Sequence, residues 1–188
     1  MQSPLFKFAF DKSSDESGQH IMETISFPDI DPLVFGLLIN WLYTEKIELS
    51  EDRPLRLIEA AKLWTVADMC LLPTLQNKAL TLIANTFANQ KGDEVSSLSD
   101  EEVKELCHHA FEKSGNTQLK RLAVDHMTQI VTADTIDTWL SVLPNGMLRD
   151  LTRELVKKLD NVPEHTFERK STVQYFVPEI LIKEEDTS

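Results

Sequence analysis

No stretch of this chain limits its fold more than residues 31–44, DPLVFGLLINWLYT. Asp31 can accept a hydrogen bond from a free N–H in a helix's first turn, and Pro32 suits the first helical position, where no N–H is needed. Ile30 before the cap and Phe35 four residues after it can close a hydrophobic staple. Val34, Leu37, Leu38, Trp41 and Leu42 recur at helical spacing, while Phe35, Ile39 and Tyr43 cover a second face. Only Gly36, Asn40 and Thr44 leave a narrow, weakly polar stripe. A helix apolar around most of its circumference must be wrapped by other elements. The sequence therefore predicts that residues 32–44 form the central helix of a domain.

Composition narrows the classes. A chain of 188 residues can bury one sizeable core, or one core and a small second unit. With 41% hydrophobic and 27% charged residues it belongs with globular proteins. A net charge of -12 repels phosphate backbones, so no nucleic-acid partner is expected. No secretory signal pattern and no apolar run of bilayer length are visible, so no membrane partner is expected and the expected compartment is cytoplasmic or nuclear. Cys70 and Cys107 both fall in helical apolar patterns and read as reduced, buried thiols. Five glycines leave little material for loops that cradle phosphates.

Residues 3–10 read as a helical turn or two with Phe6 and Phe10 on one face, and residues 11–19 as a loop. Residues 20–27 place Ile21, Ile25 and Phe27 in period two, a single strand ended by Pro28. After the apolar helix comes a polar connection over 46–52. Pro54 is expected to open a helix with Leu57, Ala60, Ala61 and Trp64 on one face, running to about Met69. Pro73 restarts the chain into a helix carrying Leu75, Ala79, Leu82, Ile83 and Phe87, followed by a polar loop over 89–97. Ser99 and Glu102 have the capping-box spacing ahead of Val103, Leu106, Cys107, Ala110 and Phe111. Leu119, Leu122, Ala123, His126, Met127 and Ile130 mark the next helix, beyond a break at Ser114-Gly115-Asn116. Ile136, Trp139, Leu140 and Leu143 mark a shorter one, stopped by Pro144-Asn145-Gly146, and Leu148, Leu151, Leu155 and Leu159 the last. The fold class is mainly α, an α+β remnant with about seven helices and one short strand. Residues 163–188 mix charge with an apolar patch from Val173 to Ile182, broken by Pro178. They read as a mobile tail, with docking of the patch as an extended segment the alternative.

Two blocks of residues resemble a known family. The first is Phe27-Pro28, Asp31-Pro32, Val34-Phe35 and WLYTEKI at 41–47; the second is Val66-Ala67-Asp68, LPTLQN at 72–77 and Ala79-Leu80. In this order and at this distance they resemble the later part of a BTB/POZ domain, most closely in the fungal style. The resemblance covers residues 1–90. It implies a hydrophobic central helix at 32–44 beside a helical hairpin divided by Pro73. A C-terminal helical region at 91–162 and the tail at 163–188 follow. The family opens with two strands, a helix and a further strand, none of which is present here. The chain is thus expected to lack the front of the domain, or to be a degenerate member. The strand at 20–27 would then have few partners and an open edge. The family's homodimer uses the front portion, so a homodimer is expected only if that part exists.

What the resemblance implies about function is a non-catalytic protein–protein interaction module, as a substrate adaptor for a cullin-type ubiquitin ligase or a subunit of a regulatory complex. The positions matching the family's cullin-facing surface are Leu38, Asn40 and Tyr43 on the helix and Glu45, Lys46, Glu48 and Glu51 in the loop after it. Family adaptors often carry an acid where Asn40 stands. The plain alternative for Leu38 and Tyr43 is core packing, and for the loop a solvated turn. His108 and Glu112, four apart beside Cys107 and His109, have a spacing that suits a metal, but no second cluster completes a site and no metal is expected. No catalytic or cofactor-binding motif occurs, and the acidic pairs sit where helix starts favour negative charge. Ile182-Lys183-Glu184-Glu185 resembles the pattern used for SUMO attachment, which makes Lys183 the one modification candidate. Two other readings are a truncated or degenerate helical protein without a partner role and, with least support, an enzyme on a helical bundle.

Overall fold

Helix starts follow their caps. Asp31 accepts the Leu33 N–H at 3.0 Å, and its other carboxylate oxygen takes Lys62 Nζ at 3.1 Å. The Lys62 hydrogen bond and then the Leu33 N–H hold the Asp31 pKa below its ordinary value. The computed structural model describes residues 30–49, 53–89, 98–112 and 117–160. These residues are mostly helical and form α1 (Pro32–Thr44), α2 (Leu57–Met69), α3 (Pro73–Asn89), α4 (Asp100–Glu112), α5 (Thr117–Ile130), α6 (Ile136–Val142) and α7 (Asn145–Asp160). No strand occurs among the described residues. The strand expected at 20–27, the turn at 3–10, most of the loop at 89–97, the break at 114–116 and the tail lie outside them.

Among the described residues α2 touches more elements than α1 does, while residues 1–29 of the same expected domain lie outside them. α2 packs on α1, α3 and α4, whereas α1 packs mainly on α2. Two faces of α2 serve two clusters. Leu57, Ala60, Ala61 and Trp64 meet Ala79, Leu80, Ile83 and Phe87 of α3, Leu106 and Ala110 of α4, and Leu119 and Leu122 of α5. Leu63, Val66, Ala67 and Cys70 meet Val34, Leu37, Leu38 and Trp41 of α1, with Leu72 and Leu75 from the proline corner. The alanines of α2 let neighbouring backbones approach, which a helix of large side chains could not allow. On α1 the second apolar face stays outward among the described residues: Phe35 and Tyr43 are exposed. Ile30 packs against the α1 cluster but Phe35 does not join it.

α2 also starts later than Pro54 suggested. Arg53 grips Glu59 with both terminal nitrogens, at 3.0 and 2.9 Å, Arg56 Nε adds a bond at 3.1 Å, and the Arg56 backbone N–H donates to the same carboxylate at 2.9 Å. This arrangement fixes residues 53–56 as a non-helical approach that delivers Leu57 to the first turn. Burial by itself would raise the Glu59 pKa; the bonds from Arg53 and Arg56 outweigh it and bring it down to about 2.

A third cluster joins the later helices: Val103 and Cys107 of α4, Ala123, Val124 and Met127 of α5, and Trp139, Leu143, Met147 and Leu151 of α6, its end and α7. His126 on α5 stacks on Phe87 of α3, ring centroids 3.6 Å apart. The capping box forms as spaced, Glu102 N–H to Ser99 Oγ at 3.3 Å and Ser99 N–H to Glu102 at 3.4 Å. Pro144-Asn145-Gly146, read as a stop, follows the end of α6 at Val142 and also opens α7: the Pro144 carbonyl accepts the Leu148 N–H at 3.0 Å. Proline and glycine are tolerated there because first-turn N–H groups have no helical partner.

At the corner between α2 and α3, Leu71 has φ 53°, the left-handed region, and is 57% exposed. A leucine there carries a Cβ penalty and loses little burial when removed. Leu71→Gly is expected to raise the unfolding free energy by about 0.5 kcal/mol, read from urea midpoints. A loss of stability would mean that the corner is not strained.

Candidate protein-interaction surface

The exit of α1 is built by side chains that turn the chain back on itself. Glu45 adopts a left-handed cap, φ 55°, and its N–H donates to the Trp41 carbonyl at 2.8 Å. Asn40 Nδ2 donates to the Lys46 carbonyl at 3.2 Å and the Glu48 carbonyl at 3.4 Å. Thr44 Oγ1 donates to the Asn40 carbonyl at 2.8 Å and accepts the Lys46 N–H at 3.2 Å. One amide thus pins the loop to the last turn of the helix. A carboxylate at position 40 could not do this, because it has no donors for the two carbonyls. Ile47 and Leu49 fold inward against the α1 cluster, leaving Glu45, Lys46 and Glu48 outward. Lys46 and Glu48 face each other at 3.7 Å, an exposed pair that adds little stability.

The sequence candidates separate by position. Tyr43 is 85% exposed at the end of the helix, with its ring in solvent. Asn40, Lys46 and Glu48 are drawn together by the bonds above. Leu38 is fully buried against α2, so core packing accounts for it and it is not on the surface. Glu51 and Lys183 lie outside the described residues.

Beside the exit is a cleft of about 440 Å³, open mouth included, between α1 and the first turns of α3, lined by Trp41, Leu42, Glu45, Leu72, Thr74, Leu75 and Lys78. Lys78 Nζ lies 4.3 Å from the Trp41 ring and donates to the Glu45 carbonyl at 3.2 Å. A cation–π contact and a bond to the last turn's carbonyl end thus tie α3 to α1. Sequence reading missed Lys78, although its place five residues after Pro73 sets it in the second turn of a helix that must return beside α1. Met69 and Leu71, at the corner, add exposed apolar surface.

The histidine pair has another role than ligation. His108 Nε2 lies 2.8 Å from the Val142 carbonyl and Nδ1 lies 3.1 Å from Glu112. These bonds join α4 to the end of α6, and the carbonyl and then the carboxylate raise the His108 pKa. His109 Nε2 lies 2.9 Å from Thr65 Oγ1 on α2. No group of three or more His, Cys, Asp or Glu converges on a metal-sized site among the described residues. Cys70 and Cys107 are buried thiols outside any disulfide, their pKa values pushed up to about 11 and about 12 by burial, which makes them poor nucleophiles. No helix among the described residues is long and apolar enough to cross a membrane.

No curated protein and no solved structure matches the chain. A protein-family comparison gives one match, which ends at residue 72, just before Pro73, so that α1, α2 and the corner fall inside it and α3 to α7 outside. Its subject, the BTB/POZ domain, is a module of protein–protein interaction, and residues 1–72 of this chain match that family's model.

Proposed function

We propose that this protein is a non-catalytic adaptor of BTB/POZ type, working in the cytoplasm or nucleus, whose α1 exit and 45–48 loop bind a cullin-type ubiquitin ligase scaffold. The observation that carries the reading is Tyr43. An aromatic side chain 85% exposed at the end of a helix in the matched segment, next in sequence to Leu42 of the mixed polar and apolar cleft, is the side-chain type that dominates binding energy in protein interfaces. Asn40, Lys46 and Glu48 hold the polar loop that would rim such a contact. Helices α4 and α5 add their apolar faces to the cluster built on α2. They act as a brace that keeps the α1 exit in one geometry, with the region 91–162 serving the part before it.

Pull-down of a cullin N-terminal region by the full-length chain tests the reading. Retention is expected, and Tyr43→Asp should reduce it at least about tenfold while the unfolding midpoint stays unchanged. No retention by the wild-type chain, with Asn40→Glu equally silent, rules the cullin partner out.

A further inference from the structure

We infer that the apolar groove between α6 and α7 is the docking site of this chain's own C-terminal segment, residues 173–182. Trp139, Leu143 and Leu151 form its buried floor, and Leu140 and Leu155 its sides, with Thr152 the one polar residue lining it. Its space, about 260 Å³ including the mouth, is below the roughly 300–1,000 Å³ of sites that hold small molecules, and suits one or two inserted side chains. Apolar surface continues outward from it. Leu140 is 46% exposed and Val156, one turn beyond Thr152, is 49% exposed.

The occupant follows from where the chain goes next. α7 ends at Asp160, on the same helix that walls the groove, and 28 residues follow. Residues 173–182, VQYFVPEILI, are the one strongly apolar run in that tail, and Pro178 suits them to an extended strap rather than a helix. Twelve residues separate Asp160 from Val173 and span up to about 40 Å when extended. The α7 residues of the groove lie only about 8–18 Å back from the helix end at 1.5 Å per residue. The strap therefore reaches the groove with slack, and a tether this short gives it a local concentration of order millimolar. A second copy has no such advantage, and a groove this small is far from the roughly 1,200 Å² a stable dimer buries. Charge agrees: α7 carries Arg149, Arg153, Lys157 and Lys158 against three acids, while Glu184-Glu185-Asp186 closely follows the strap.

Two measurements on the full-length chain test this. In hydrogen exchange, Phe176→Asp with Ile180→Asp is expected to speed exchange in residues 136–142 and 148–156 by about tenfold and leave α1 and α2 unchanged. Equal rates in wild type and variant overturn the inference. A spin label on Lys183→Cys is expected to broaden amide signals of α6 and α7 within the same chain. Broadening seen only when label and isotope sit on different chains assigns the groove to a second copy and overturns it, as does no broadening there.

Discussion

Replacing Trp64 by alanine is expected to lower the free energy of unfolding by about 4 kcal/mol. Trp64 is almost fully buried in the cluster where α2, α3, α4 and α5 meet, so truncation opens a cavity among four helices that cannot all close on it. Its indole N–H meets no hydrogen-bond acceptor among the described residues. Trp64→Phe therefore gives up volume but no hydrogen bond there, and is expected to cost about half as much. Since a domain this size is stable by roughly 5–15 kcal/mol, the alanine variant should unfold at a much lower urea concentration with an unchanged slope. A loss under about 1 kcal/mol would mean that these helices do not converge on Trp64.

Acid should remove the contribution of Glu59. The residue is 3% exposed and its pKa is brought down from 4.5 to about 2. A carboxylate with a depressed folded pKa stabilises fully above its unfolded value and loses that effect as pH falls through the folded one. The window here is pH 4.5 down to about 2. The shift corresponds to about 3 kcal/mol at neutral pH. Glu59→Gln is expected to lose most of this at pH 7 and to unfold with a flatter dependence on pH in that window. Urea midpoints at several pH values, wild type minus variant, isolate the group from Asp31, whose pKa is also lowered. A difference that stays constant from pH 5 to pH 2 would remove the Arg53–Glu59–Arg56 contact from the account.

The start of α1 was legible because Asp31, Pro32 and the apolar repeat act over one or two turns. The Ser99 box and the Pro73 corner were legible for the same reason. Less legible was the part of α2, which among the described residues packs on three other helices through alanines beside larger apolar side chains and carries a buried charge. Glu59 hides in the core because Arg53 and Arg56 answer it, and a pattern reading that counts Glu as surface cannot see the answer. On α7 the repeat of Leu148, Leu151 and Leu155 looked complete, but Met147 is more deeply buried than Leu148, because the first turn begins at a residue taken for a break. At the candidate surface the resemblance named Leu38, Asn40 and Tyr43 on neighbouring turns of helix but not the inward side of Leu38. Nor could it supply the Asn40 bonds or Lys78, which depend on how the loop and α3 return.

The account rests on one continuous core, in which α2 and α4 join the family-matched segment to the helices after it and so hold the α1 exit rigid. Each of the three hydrophobic clusters contains one of the chain's three tryptophans: Trp41, Trp64 and Trp139. The most direct measurement is urea unfolding of three full-length variants, each keeping one tryptophan and carrying phenylalanine at the other two, followed by fluorescence and by helical circular dichroism. A single core predicts that within every variant the two signals share one midpoint. A Trp41 or Trp139 transition displaced from the loss of helix would contradict it.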